Sequence, residues 1–97
     1  MGQLLQQIIN DKKAIIATAE KHQATNLRLF GSVARGEDNE SSDIDLLVDF
    51  MPGSTLFDQI DLMDELTQIL GRKVDVVSSR ALNEYIRQRI LEEALPL

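Results

Sequence analysis

The sequence predicts one α/β or α+β domain in which helices flank a small mixed β-sheet. Segments with the apolar spacing of a helix alternate with short apolar runs, in the order helix, strand, strand, helix, strand, helix. The 97 residues suffice for one domain and leave no room for a second. With 43% hydrophobic and 27% charged residues, the composition is that of an ordinary globular protein. We therefore expect a single domain over residues 1–97.

The first predicted element is a packing helix from residue 3 to about residue 22. Its apolar residues recur at a spacing that places most of them on one side of a helix: Leu4, Leu5, Ile8, Ile9, Ala14, Ile15, Ile16 and Ala19. His22, near its end, is interpreted as a surface residue that favours a helix C-terminus when it is charged. We assign it no catalytic role.

Two short strands joined by a polar segment follow. Residues 27–30 are partly apolar and end at Gly31, as a strand that enters a turn does. Residues 32–35 are predicted to form a helical turn, and the polar residues 36–42 a surface loop. The second strand is predicted at Ile44–Phe50, where apolar residues dominate.

A second long helix is predicted after the second strand. Ser54 or Thr55 can cap its N-terminus, and Gly71 closes its C-terminus. The apolar residues are expected to form a buried stripe of Leu56, Phe57, Ile60, Met63, Leu66, Ile69 and Leu70. The acidic residues are expected to form its solvated face: Asp58, Asp61, Asp64 and Glu65.

The last predicted elements are a strand at residues 74–77 and a helix at residues 82–95, which Pro96 ends. The strand, helix and strand from residue 44 to residue 77 predict a right-handed parallel crossover, so strands two and three should be neighbours. Tyr85 lies in the final helix. Core packing is its preferred interpretation, and the alternatives are an interface contact or a site of self-modification.

Charge and cysteine content exclude several functions. With 16 acidic and 10 basic residues the net charge is −6, which repels a nucleic-acid backbone, so no direct nucleic-acid partner is expected. The absence of cysteine excludes disulfides and thiolate metal sites, and it permits a reducing compartment. No targeting signal and no run of 18 apolar residues is present, so we expect a cytoplasmic protein without a membrane partner.

The stretch from Phe30 to Phe50 contains the strongest candidate for a functional site. Gly31 lets backbone amides approach an anion closely, and Ser32 adds a hydroxyl donor. Because side chains alternate along a strand, Asp43 and Asp45 project from one face and offer the hard oxygen ligands that Mg²⁺ prefers. This combination predicts a site for a metal-bound triphosphate.

Asp75 is the candidate for a third carboxylate in that site. It interrupts an otherwise apolar strand, and it would complete a triad with Asp43 and Asp45 if the two strands are neighbours. Three close carboxylates repel one another unless a divalent cation binds between them. Two Mg²⁺ ions, about 3.5 to 4 Å apart, could activate an attacking hydroxyl and neutralise leaving pyrophosphate. Asp75 could then accept the proton of the nucleophile.

A purely structural interpretation of the same residues is also available. Asp43 and Asp45 would flank a loop, Asp75 would keep an edge strand soluble, and Gly31-Ser32 would be a turn. An isolated Asp-x-Asp motif is a weak signal of a metal site. The fixed spacing of Gly-Ser, ten residues and Asp-x-Asp is rarer, and it favours the functional interpretation.

The motif resembles the nucleotidyltransferase signature of the DNA polymerase beta superfamily. The resemblance rests on Gly31-Ser32, Asp43-Ile44-Asp45 and Asp75, and it covers almost the whole chain. Within the superfamily, GSVARGE and SSDIDLLVDF are similar to the minimal nucleotidyltransferases, small proteins encoded beside HEPN-domain partners. The resemblance implies the nucleotidyltransferase fold of the DNA polymerase beta type.

The resemblance also implies roles for the site residues. Gly31 and Ser32 would contact the triphosphate, Asp43 and Asp45 would ligate two Mg²⁺ ions, and Asp75 would ligate the catalytic ion.

Two further residues are implied as phosphate contacts. Arg35 lies where family members often place a phosphate-binding cation, and Ser42 would be a second phosphate donor. An ion pair with Glu37 or Asp38 is the alternative for Arg35.

The activity implied by the resemblance is that of an antitoxin in a toxin–antitoxin pair. Such an enzyme transfers AMP from ATP to a tyrosine hydroxyl of a HEPN ribonuclease toxin and releases pyrophosphate, which implies a hetero-oligomer with that toxin. The chain shows no added module for a template, a tRNA or an antibiotic, so the acceptor is expected on another molecule. The negative charge fits a protein acceptor better than RNA.

Two alternatives remain open at this point. The chain could neutralise a partner by binding alone, with Leu91, Leu95 and Leu97 as contacts, or it could transfer a nucleotide to a small molecule such as an aminoglycoside.

Overall fold

A computed structural model describes residues 3–97 of the protein. The helices are α1 (Gln3–Asn10), α2 (Lys12–Lys21), α3 (Gly31–Arg35), α4 (Leu56–Leu70) and α5 (Glu84–Glu93), with a 3₁₀ turn at Ser79–Ala81. The strands are β1 (Ala24–Phe30), β2 (Ile44–Phe50), β3 (Val74–Ser78) and β4 (Leu95–Pro96). None of the helices between residues 3 and 97 combines the length and apolar character that a membrane crossing requires.

The strands form one mixed sheet in the order β3-β2-β1-β4. Strands β2 and β3 are parallel neighbours, which confirms the predicted pairing, whereas β1 is antiparallel to both β2 and β4. The α/β fold class with a small mixed sheet is therefore confirmed.

Strand β4 was not predicted, and the final helix ends two residues earlier than expected. Leu95 pairs with Leu29, and the Leu97 amide donates to the Leu27 carbonyl at 3.0 Å. A strand of two residues has no alternation to detect, and Pro96 is compatible with an edge strand because it need not donate. The sheet thus gains an edge that the sequence pattern did not reveal.

The core lies between one face of the sheet and the helices α2 and α4. Alternate residues of β2, among them Ile44, Leu46 and Val48, are fully buried there and belong to the same cluster as Leu62 and Leu66 of α4. The intervening side chains of β2 point to the opposite face. On that opposite face Leu47 is also buried, whereas Asp45 and Asp49 on either side of it are only partly buried.

The predicted first helix is divided at Asp11 into α1 and α2. Leu4 and Ile8 are buried before the break, and Ile15 and Ala19 after it. Ile8 and Ile15 are seven residues apart, about two helical turns, so the apolar phase continues through the break. The sequence pattern therefore gives no sign of it.

His22 is not the surface residue that was expected. Its side chain is only 14% exposed and contacts the carboxylate of Glu65, although it does follow the C-terminus of α2. Glu65 also pairs with Lys21, so it is not simply part of a solvated face.

Helix α4 begins as predicted but buries only part of the predicted stripe. Thr55 caps it in a capping box in which the Asp58 carboxylate accepts from the Thr55 amide at 2.8 Å. The buried residues are Leu62, Leu66 and Leu70. Four residues of the predicted stripe are exposed: Leu56, Phe57, Ile60 and Ile69. The helix carries apolar residues on two sides, and tertiary packing determines which of these sides is buried.

Helix α5 packs more loosely than its sequence suggested. Asn83 caps it by accepting from the Ile86 amide at 2.9 Å, and none of its residues 84–93 is buried. Tyr85 is 70% exposed, so its interpretation as a core aromatic is wrong.

Candidate active site

Parallel pairing brings two of the three predicted carboxylates to one place on the sheet. Asp45 of β2 lies opposite Asp75 of β3 in the register, and neither residue is fully buried. Asp43 comes directly before β2, whose start is fixed by a 2.9 Å hydrogen bond from the Ile44 amide to the Lys73 carbonyl. Asp43 and Asp45 therefore lie on the side of the sheet away from the buried Ile44.

The electrostatics of Asp45 are those of a carboxylate among like charges. Partial burial raises its pKa above the ordinary value, and the charges of Asp75 and Asp43 raise it further. Arg35 and Lys73 act in the opposite direction. The repulsion from the neighbouring aspartates is larger than the attraction to these two cations. A positive ion placed between the carboxylates would therefore lower the free energy of the ionised site.

Gly31 brings the turn after β1 into contact with this carboxylate group. Its φ is +77°, in the left-handed region that favours glycine, and a Cβ at this position would overlap Oδ2 of Asp45. The backbone can approach Asp45 this closely only because residue 31 has no side chain. The backbone of the Gly31-Ser32 turn and the carboxylates thus lie side by side.

Arg35 ends helix α3 and has two acidic partners. Its Nε donates to Glu37 and its Nη1 to Glu93, each at 3.0 Å. The hydrogen bond to Glu37 is the main reason that the pKa of Arg35 is raised. The ion pair that the sequence offered as an alternative is therefore present with Glu37, and Arg35 still acts on the charge of Asp45. Its role in binding phosphate stays a prediction.

Ser42 is part of the loop that leads to Asp43. Its Oγ accepts a hydrogen bond from the Asn39 amide at 2.8 Å. The hydroxyl hydrogen is still available to donate, because an oxygen that accepts one bond keeps its own proton. A phosphate contact by Ser42 likewise stays a prediction.

Arg72 supports the same loop, a role that the sequence did not reveal. Its guanidinium donates to the backbone carbonyls of Asn39 at 2.8 Å, Glu40 at 3.0 Å and Ser42 at 3.2 Å. Carbonyl acceptors carry no signature in the sequence, and the only available signal was a basic residue directly after Gly71.

If Asp43 is a metal ligand, as the sequence predicts, Arg72→Met should weaken metal-dependent catalysis through the position of Asp43. Loss of three hydrogen bonds from a charged donor at a partly exposed site should lower the free energy of unfolding by about 1 to 3 kcal/mol. The Mg²⁺ concentration that gives half-maximal activity should rise, because the loop before Asp43 loses its anchor. Denaturant unfolding and a Mg²⁺ titration of the rate measure the two effects.

Arg80→Met is the matched control, because it removes the same side chain from an exposed position. If Arg72→Met lowered stability but left the Mg²⁺ dependence equal to that of the control, Arg72 would have no influence on Asp43.

A second aspartate on the same face of β2 has the opposite electrostatics. Although partial burial raises the pKa of Asp49, hydrogen bonds from Ser79, Asn26 and Arg28 outweigh that effect and lower it. The Arg28 and Asn26 donors lie at 3.0 and 2.9 Å. Asp49 is thus a satisfied structural carboxylate, four residues along the strand from Asp45.

The oxygen donors of Asp43, Asp45 and Asp75 suit a hard divalent cation in their chemistry, although their side chains do not converge on one point. Within residues 3–97 no three acidic or imidazole side chains already converge as a formed metal-ligand cluster. The three aspartates supply oxygen ligands only, as Mg²⁺ prefers, and their mutual repulsion favours a cation between them.

Comparison with known proteins identifies the family of the chain. Residues 12–97 match the model of the family described as polymerase beta, nucleotidyltransferase. A Methanocaldococcus jannaschii protein with the provisional name protein adenylyltransferase is 42% identical over 84 residues, which cover 87% of this chain and 90% of that protein. The protein adenylyltransferase MntA of Thermococcus cleftensis is 37% identical over 76 residues, 78% of this chain and 77% of that one.

Solved structures share the fold. One with the provisional title minimal nucleotidyltransferase has a TM-score of 0.88 and 44% identity, and covers 96% of this chain and 95% of its own. A toxin–antitoxin structure with AMP-PNP has a TM-score of 0.76 at 23% identity and covers 89% of this chain and 71% of its own. A Shewanella oneidensis structure of a tri-AMPylated HEPN toxin with an MNT antitoxin has a TM-score of 0.68 at 23% identity, with coverage of 93% and 70%.

The chain therefore belongs to the polymerase beta nucleotidyltransferase family. It is a nucleotidyltransferase, and it is similar to a minimal nucleotidyltransferase of known structure and to proteins named as protein adenylyltransferases.

Proposed function

We propose that the protein is a Mg²⁺-dependent adenylyltransferase that transfers AMP from ATP to a tyrosine hydroxyl of a HEPN ribonuclease toxin, and that it acts as the antitoxin of that pair. The observation that carries the proposal is the direct approach of the Gly31 backbone to Asp45, which itself lies opposite Asp75. A phosphate-binding turn and acidic ligands at one point are what a nucleotidyl transfer needs. We take residues 1–97 as a single nucleotidyltransferase domain.

The first task of the site is to hold the triphosphate. Backbone amides of the Gly31-Ser32 turn and the Ser32 hydroxyl bind its β and γ phosphates. Arg35 supplies a cation after exchanging one of its two acidic partners for phosphate, and Ser42 supplies a hydroxyl donor.

The second task is to balance charge and move a proton. Asp43, Asp45 and Asp75 would hold two Mg²⁺ ions. These ions would neutralise the negative charge of the carboxylates and of the leaving pyrophosphate. Asp75 accepts the proton of the attacking hydroxyl as the new ester bond forms. The three aspartates and the Gly31-Ser32 turn thereby orient the α-phosphorus between the incoming and the leaving oxygen.

The protein acceptor is supported by three observations. The relatives of M. jannaschii and T. cleftensis are named as protein adenylyltransferases, and they match most of this chain at 37% to 42% identity. The S. oneidensis fold neighbour is titled as a complex with a tri-AMPylated HEPN toxin. The net charge of −6 suits the basic surface that an RNA-cleaving partner presents, so we expect a hetero-oligomer.

Incubation of the chain with its partner, Mg²⁺ and ATP labelled at the α position should label a tyrosine of the partner. ATP labelled at the γ position should leave the partner unlabelled, because that phosphate departs in pyrophosphate. Label from the γ position would indicate phosphoryl transfer and would refute the proposed chemistry, as would an unlabelled partner with both substrates.

Neutralisation by binding alone is the second candidate, and the exposed apolar start of α4 favours it. Leu56 is 68% exposed and Phe57 75% exposed, and Met51 and Ile60 are also exposed. Of the contacts that the sequence suggested, Leu95 is exposed in β4, and Leu91 and Leu97 are half-buried. Neutralisation that survives Asp45→Asn at equal protein concentration would support this candidate over catalysis.

A further inference from the structure

Tyr85 is the only tyrosine of the sequence, and the fold leaves its side chain unused in packing. The residue is 70% exposed in the first turn of α5, a helix that buries none of its residues 84–93. A tyrosine hydroxyl is the acceptor in the proposed function. The chain therefore carries on its own surface one group of the chemical class that its site would modify.

The hydroxyl of Tyr85 is held by an arginine one helical turn away. Nη1 of Arg89 donates to the Tyr85 hydroxyl oxygen at 3.2 Å, and the Arg89 guanidinium lies 5.7 Å from the ring centroid. The oxygen keeps a second lone pair for attack, and its proton is not used in this bond. A phosphodiester formed on this oxygen would be negatively charged, and Arg89 would stabilise it.

Tyr85 and Arg89 line a cleft with Arg35, the residue that ends the helix after the phosphate turn. Glu93, at the end of α5, pairs with Arg35 at 3.0 Å and holds that end of the helix against α3. Tyr85 is eight residues earlier, about 12 Å along the helix axis. Its side chain is therefore separated along α5 from the Arg35–Glu93 pair and, being exposed, is open to another molecule.

We propose that Tyr85 is an adenylylation site, modified by the active site of a second copy of this chain. This inference rests on the proposed function and extends its acceptor class to the enzyme itself. The Tyr85 oxygen attacks the α-phosphorus of ATP, so that an oxygen–phosphorus bond forms and the bond to the β-phosphate oxygen breaks. The electron pair leaves with pyrophosphate, and the phenolic proton passes to Asp75 of the copy that performs the transfer.

Intact-mass measurement of the chain incubated alone with ATP and Mg²⁺ tests the proposal. The wild-type chain should gain the mass of one adenylyl group, peptide mapping should locate it at Tyr85, and the rate should rise with chain concentration. Tyr85→Phe should gain no mass and should label the partner toxin as the wild type does, since Tyr85 is not among the residues assigned to the metal or the triphosphate. Modification at a different residue would overturn the proposal.

A mixture of two variants tests transfer between copies. Asp45→Asn lacks the proposed catalytic carboxylate and keeps the acceptor, whereas Tyr85→Phe keeps the site and lacks the acceptor. Adenylylation of the Asp45→Asn chain in the mixture is expected, and its absence would exclude transfer between copies. Arg89→Met should slow labelling of Tyr85 by about fivefold without changing labelling of the partner toxin.

The outcomes for self-modification and for the proposed function are distinguishable. A wild-type chain that labels its partner and gains no mass itself would overturn the role of Tyr85 and leave the proposed function intact. A chain that labels neither its partner nor itself would overturn both.

Discussion

Asp45→Asn is expected to abolish nucleotidyl transfer and, at neutral pH, to stabilise the fold. The substitution changes little volume and removes a charge that the proposed site for a metal-bound triphosphate requires. Charge stabilisation by a metal contributes several kcal/mol to such transition states, and each ~1.4 kcal/mol is tenfold in rate, so the loss should be about 10³-fold or greater. A rate assay with the partner toxin and thermal unfolding measure the two effects.

The sign of the stability effect follows from the raised pKa of Asp45. Burial and the charges of Asp75 and Asp43 favour its protonated form in the folded state. Because the pKa of Asp45 is higher in the folded than in the unfolded state, its protonation stabilises the fold. This stabilisation is fully present below the unfolded pKa and is lost as the pH rises through the folded pKa. The advantage of Asp45→Asn over the wild type should therefore appear as the pH rises above about 4, the ordinary pKa of aspartate.

Asp49→Asn is the matched control, because it makes the same change on the same strand and face. The pKa of Asp49 is lowered, so its stabilising contribution is present above the unfolded pKa and is lost as the pH falls through the folded pKa. The variant should be less stable at neutral pH by about 1 kcal/mol and should keep most of its activity. Equal losses of activity in both variants would contradict the distinction between the two carboxylates.

Gly31→Ala is expected to reduce transfer by about 10²-fold or more, because a displacement near 1 Å at a reacting centre costs this much. The new Cβ would overlap Oδ2 of Asp45 and would lie 3.3 Å from its Cγ, so the carboxylate or the turn must move. The left-handed φ of +77° adds strain of about 1 kcal/mol for any residue with a Cβ. Steady-state rates and denaturant unfolding separate the two consequences.

Gly36→Ala isolates the contribution of the overlap. Gly36 has a similar φ of +72°, and a Cβ there would meet no atom within 4 Å. It should lose stability through strain alone and keep its activity within a few-fold. If the two alanine variants were equally active, contact between the turn and Asp45 would not be required for transfer.

The parts of the site that were predictable from sequence are those set by strand alternation. Ile44–Phe50 is a strand with the predicted bounds, because Ile44, Leu46 and Val48 mark its buried face at every second position. That alternation fixes the direction of Asp45, and the length of the crossover makes β3 its parallel neighbour. The opposition of Asp45 and Asp75 follows from these two local rules.

The features that were not predictable depend on contacts between distant segments. Arg72 donates to backbone carbonyls more than 30 residues away, and carbonyls look alike in every sequence. Burial of Leu62 rather than Phe57 depends on which side of α4 meets the sheet. Tyr85 was expected in the core because aromatic residues usually pack there, whereas α5 lies too far out to bury it.

The most direct test is the mass of the acceptor tyrosine peptide of the proposed partner toxin after incubation with ATP and Mg²⁺. Wild-type chain and Asp49→Asn should both add AMP to that tyrosine, and Asp45→Asn, although at least as stable, should add none. Addition of AMP by Asp45→Asn at the wild-type rate would contradict the assignment of the carboxylate site as the catalytic centre.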